Sequence, residues 1–207
     1  MNAGTLFETS ENQNQITYKG TIKYESIELR ILNQHFLTDD LAEPCSHGQI
    51  FLKVNLTVIS NEDDGDWVIN EAAISLMRTV RYGFPNAEVP PPRYYSEGIL
   101  EETLINCCGA YMLFCPSNIK WRVTVSGDEV TLSEFIKDEH ITFGDIQVTL
   151  KMSKYAEIVY EFAKQSIDYF IGKNVDITGW EQFEGQYNVF WEEYRELMDY
   201  IKNKYLV

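Results

Sequence analysis

Residues 61–67 read NEDDGDW and gather four carboxylates, Glu62, Asp63, Asp64 and Asp66, around one glycine with no basic residue among them. Oxygen ligands at alternating positions about a glycine are what a calcium loop uses. The rest of that pattern fails: counted from Asp63, the twelfth position, where an EF-hand needs a bidentate Glu, is Ile74. Two other roles fit the stretch. One is a strand-to-helix turn, in which Asp and Asn bond their own backbone and negative charge suits the helix N-terminus. The other is a surface that meets a basic partner.

Sulfur and imidazole are the other reactive groups. Cys45 and His47 stand in a C-S-H triplet, Cys107 and Cys108 are adjacent, and Cys115 follows. Zinc uses cysteine pairs at set spacings with a second pair to match, whereas neighbours such as Cys107 and Cys108 point to different sides of any regular element. A Cys–His nucleophile drawn from Cys45 or Cys107 with His35, His47 or His140 has no local motif to activate it. The chain carries no nucleophile elbow, phosphate-cradling glycine loop or dinucleotide fingerprint. No cofactor or metal is therefore expected. Adjacent carboxylates such as Glu101 and Glu102 are solvated charge by default, and the PPRY run at 91–94 matches a short WW-domain signal that a rigid loop also explains.

The elements that position these groups follow from periodicity. Residues 16–37 alternate, with Ile27, Leu29 and Ile31 against Glu28 and Arg30, and predict two antiparallel strands. GQIFLKVNLTVIS (48–60) predicts one strand with Ile50, Leu52, Val54, Leu56 and Val58 on one side. The period then changes: residues 70–84 predict a helix with Asn70 as N-cap and Gly83 as its stop. Residues 85–98, with Pro90, Pro91 and Pro92, predict a rigid surface connection. Residues 98–114 fit either a broken helix or a helix leading into a buried strand.

A hairpin turning at Ser126–Glu129 is expected over 119–136, with one further strand over 141–152. Two amphipathic helices end the chain. In the first, over 154–170, the apolar stripe includes Tyr155, Val159 and Phe162. In the second, over 179–206, it includes Trp180, Phe183, Tyr187, Phe190, Trp191, Tyr194 and Ile201, with Glu192, Glu193, Glu196 and Asp199 facing water.

These elements make an α+β fold: a mainly antiparallel sheet of five to six strands, one inserted helix, and two C-terminal amphipathic helices packed on one face. Residues 1–15 are expected to be a flexible N-terminus. Residues 16–207 form a single domain, mainly sheet over 16–153 and helical over 154–207. The first residues lack the features of a secretory signal and no apolar run reaches membrane-spanning length, so a cytoplasmic protein without membrane association is expected.

Charge narrows the function classes. With 17 Lys and Arg against 32 Asp and Glu the formal net charge is −15, which repels nucleic acid and anionic membranes. Residues 61–102 are the most lopsided, with 3 basic residues against 9 acidic ones. Such a chain fits a non-enzymatic acidic binding protein, of the kind that an immunity-type inhibitor of a basic toxin or nuclease would be. Its expected partner-binding residues are Glu62, Asp63, Asp64 and Asp66 for steering, with Trp67, Tyr94 and Tyr95 as aromatic anchors. The alternative is a small-ligand binding protein or hydrolase with an apolar pocket between the sheet and the C-terminal helix, lined by Trp180, Phe183, Tyr187 and Trp191.

Overall fold

Alternation sets the first strand. Ile27, Leu29 and Ile31 are buried while Glu28 and Arg30 are exposed, and β1 (Ile27–Ile31) lies antiparallel to β3 (Ile50–Val54) with Leu29 opposite Leu52. These positions come from a computed structural model that describes residues 26–38, 44–86, 88–89, 103–108, 116–144, 146–175 and 186–206. The second strand expected before β1 lies outside the described residues, as do residues 1–15, expected to be flexible, and most of the proline-rich connection.

The single strand expected over 48–60 is a hairpin. β3 turns at Asn55 and Leu56 into β4 (Thr57–Ser60), with Asn55 in the left-handed region at φ 55. Asn accepts that conformation because its short side chain can hydrogen-bond nearby backbone. Here its Oδ1 accepts the Ser26 N–H at 3.1 Å, and its amide donates to the Gln147 carbonyl at 3.1 Å. Cross-strand partners share a face, so Thr57 takes the side of Val54 and the inward phase is reset. Ile59 enters the core, whereas Leu56 is 73% exposed.

The remaining pairings are also antiparallel. β2 (His47–Gly48) pairs with β5 (Trp67–Val68) in a two-stranded ribbon, and β1, β3 and β4 make a three-stranded sheet. The third sheet has five strands in the order β10-β8-β7-β6, with β9 also on β8. Its centre is the expected hairpin: β7 (Asn118–Ser126) and β8 (Glu129–Lys137) turn at Gly127, whose φ of 62 favours glycine. β6 (Ile105–Asn106) borders β7. The one strand expected over 141–152 is two, β9 (Ile141–Thr142) and β10 (Val148–Lys151), both on the outer edge of β8. β8 cannot hold one continuous neighbour, because Glu134 stands at φ 57 and the β7–β8 register shifts between Lys120 and Arg122.

Three helices pack on one another and against these strands: α1 (Ile69–Tyr82), α2 (Met152–Asp168) and α3 (Gln186–Tyr205). α1 is buried from Ile69 through Val80, so its polar residues need partners inside the protein. Thr79 bonds the Tyr155 hydroxyl at 2.7 Å, and Arg78 pairs with Glu193 of α3. Glu193, expected to face water, is thus buried; Glu192, Glu196 and Asp199 are exposed as expected. Gly83 ends α1 at φ 76, donating its N–H to the Thr79 carbonyl at 2.8 Å.

Asn70 is not the N-cap. Val68 occupies that position without a side-chain bond, and the Ile69 N–H is satisfied by the Ser46 carbonyl at 2.8 Å. Asn70 Oδ1 instead accepts the Ser46 N–H at 2.8 Å and the Ser46 hydroxyl at 3.2 Å. One buried amide therefore ties the segment before β2 to the head of α1.

Candidate functional site

The acidic stretch joins β4 to β5, and its shape follows from its own side chains. Asn61 Oδ1 accepts the Asp63 N–H at 3.0 Å, and the Asn61 carbonyl accepts the Asp64 N–H at 3.3 Å. Asp64 Oδ2 returns a bond to the Asn61 N–H at 3.1 Å, closing the turn from both ends. This is the backbone-bonding behaviour of Asn and Asp in turns.

The four carboxylates then separate. Asp64 also accepts a hydrogen bond from Lys137 at the end of β8, and Lys137 donates to the Ile59 carbonyl at 3.3 Å as well. Both side chains are more than four-fifths buried, so the pair braces the turn against the larger sheet. Asp66 lies 3.2 Å from His35 Nε2. Glu62 and Asp63 remain exposed, with no ion pair among the described residues. Nor do the described residues contain a group of three or more His, Cys, Asp or Glu placed to hold a metal ion.

The expected residues thus divide by role. Asp64 is structural: Asp64→Ala should cost about 1.5–3 kcal/mol, the worth of a hydrogen bond to a charged group, read as a lower urea midpoint. Neutralising the turn to weaken a partner contact therefore has to spare Asp64. Trp67 is 3% exposed, with its indole N–H donating to Ser60 Oγ at 3.2 Å, so its ring is core and cannot fill a partner's pocket. The bulk that makes tryptophan a good anchor also makes it a good core residue, and its place in the β2–β5 ribbon turns it inward. Tyr94 and Tyr95 lie outside the described residues.

The triplet at 45–47 belongs to the polar network at the head of α1. The Cys45 thiol donates to Glu71 Oε1 at 3.5 Å, and Gln34 Nε2 donates to Ser46 Oγ at 2.8 Å and to the Ser166 carbonyl at 3.1 Å. His47 is buried, and its backbone exchanges two 2.8 Å bonds with His35. The Gln34 side chain thus links the 44–48 segment to the end of α2.

Of the residues expected to line an apolar pocket, Trp180 and Phe183 lie outside the described residues. Trp191 is buried among rings, with centroids 4.8 Å from Phe170, 4.9 Å from Phe190 and 5.2 Å from Tyr194. Tyr187 is half-buried beside it at 6.0 Å. Phe170, just past the end of α2, thus packs against the Trp191 ring of α3.

Lys137 was not legible as part of the turn, because 73 residues separate it from Asp64. No helix among the described residues is long and apolar enough to cross a membrane. No protein-family model, curated protein or solved structure matches the chain.

Proposed function

We propose that this chain is a non-enzymatic acidic binding protein whose partner is a basic protein, with an immunity-type inhibitor of a toxin or nuclease as the specific form. The net charge of −15 carries this reading. A field of that size speeds the approach of a basic protein and repels phosphate polymers. Two exposed acidic features support it. Glu62 and Asp63 project from a turn braced by the Asp64–Lys137 pair. Glu192, Glu196 and Asp199 fall at i, i+4 and i+7 on the exposed side of α3, one line of negative charge along the helix.

A pull-down from native extract at low and moderate salt is the first test, and it should recover a basic protein more strongly at low salt. With that partner in hand, the Glu62→Gln/Asp63→Asn variant should associate about two- to tenfold more slowly at low ionic strength, with little change in dissociation and none in thermal stability. Surface charge acts mainly on the encounter, so rates unchanged at low salt would remove the turn from the interface. Recovery of no basic protein under either condition would count against the function itself.

A further inference from the structure

Lys137, Lys151, Lys154 and Lys164 each pair with a carboxylate. Lys173 is half-buried, yet among the described residues its ammonium makes no ion pair or hydrogen bond. It lies instead over two rings, that of Tyr169 and that of Phe36, whose centroid is 5.4 Å from Nζ. A ring face is negative and attracts a cation, most strongly where water is partly excluded.

Both rings are held in place. Phe36 lies in the segment after β1, which two glutamines fix to α2. Gln34 Nε2 donates to the Ser166 carbonyl at 3.1 Å, and Gln165 Nε2 donates to the Ile31 carbonyl at 3.3 Å. Tyr169 begins the turn that ends α2, where the Ile171 N–H donates to the Asp168 carbonyl at 3.2 Å and the Lys173 N–H to the Phe170 carbonyl at 3.1 Å. Phe170 roots the set in the core, meeting Phe36 edge-on at 5.5 Å and Trp191 at 4.8 Å. The Phe36 and Tyr169 rings, with centroids 5.3 Å apart and planes inclined at 54°, thus present their faces to one cation.

The cation that fills this place hangs on a surface turn. Ile171 is 74% exposed, and Gly172 beside it stands at φ 76, a conformation that favours glycine. Lys173 can therefore swing its ammonium out without disturbing α2 or the core, whereas the rings stay where the glutamines and Phe170 hold them.

We propose that Phe36 and Tyr169 form a binding site for an alkylammonium group, filled by Lys173 in the free chain and yielded to a ligand that carries such a group. A small quaternary amine and a lysine side chain of another protein share that chemistry. The site stands whether or not the partner is a basic protein.

The test titrates the full chain and its Lys173→Ala variant with tetramethylammonium chloride and, separately, with N-acetyl-lysine methylamide. Ring-proton NMR shifts are read against equal concentrations of sodium chloride. Lys173→Ala should bind tetramethylammonium with a Kd on the order of 10 mM, the affinity that two partly hydrated ring contacts supply. The parent chain should bind about tenfold more weakly, because its own tethered ammonium competes. Adding Phe36→Leu to Lys173→Ala should weaken binding again by about tenfold. Tighter binding of the lysine derivative would assign the site to a protein side chain, and tighter binding of tetramethylammonium to small amines. Equal affinity in the parent and Lys173→Ala, or shifts that sodium chloride reproduces, would overturn the proposal. Should the Phe36→Leu chain unfold, intermolecular NOEs in Lys173→Ala decide: the methyl protons should contact the Phe36 and Tyr169 rings, and contacts to other rings alone would equally refute the site.

Discussion

Glu193→Ala is expected to destabilise the fold by about 3–5 kcal/mol, roughly 6–20 °C in Tm for a chain of this size. Glu193 on α3 and Arg78 on α1 form an ion pair whose side chains are only 8% and 6% exposed. Removing the carboxylate leaves the guanidinium in the centre of the helical layer, where Arg78 also lies over the Tyr82 ring at 5.6 Å. Desolvating an ion pair costs nearly as much as the pair returns, so replacing both partners with apolar groups should behave differently. Arg78→Met/Glu193→Leu should recover most of the loss, and chemical denaturation of the parent, both single variants and the double variant measures the coupling. A Glu193→Ala cost below about 1 kcal/mol would mean that Arg78 stays solvated without its partner.

Alkaline pH is the second strong lever. Burial pushes the Tyr155 hydroxyl up to about 12, and burial likewise raises Tyr194, whose hydroxyl donates to the Ala163 carbonyl at 2.7 Å. The unfolded chain releases these protons near pH 10, while the native state keeps them. From there upward the unfolded state binds fewer protons, so stability falls as pH rises and is fully present only below about pH 10. Tyr155 alone should cost about 2 kcal/mol by pH 12, and Tyr194 adds to it. Urea midpoints at intervals above pH 9 should show the decline, with tyrosinate absorbance from these two residues rising only as the chain unfolds. Tyr155→Phe gives up the Thr79 bond, worth about 1 kcal/mol, but should flatten the alkaline slope. An unchanged slope would show that another group governs it.

Much of the α1 and α3 surfaces was legible because a helix repeats its facing every 3.6 residues. Gly83 ends α1 where periodicity placed the stop, and the buried face of α3 includes Phe190, Trp191, Tyr194 and Ile201 as expected. Glu193 also had a signal: it stands three residues after Phe190 and four before Leu197, inside the stripe. Its charge led to the opposite reading, because a lone buried carboxylate is costly and its partner lies 115 residues away. The strand run at 48–60 misled for a local reason. A two-residue turn without glycine leaves the hydrophobic alternation apparently unbroken while reversing which residues face inward.

Local patterning alone determined the α+β class, the alternation of β1, the extents of α1 and α2 to within two residues and the strongly negative charge, since each depends on residues a few positions apart or on composition. Tertiary structure decided which charges do what. Within NEDDGDW it pairs Asp64 with Lys137, sets Asp66 beside His35, buries Trp67 and leaves Glu62 and Asp63 exposed. At the end of β6 it brings together the thiols of Cys107 and Cys108, which a regular strand would hold apart. Those outcomes depend on long-range proximity and backbone bends, which neither periodicity nor composition encodes.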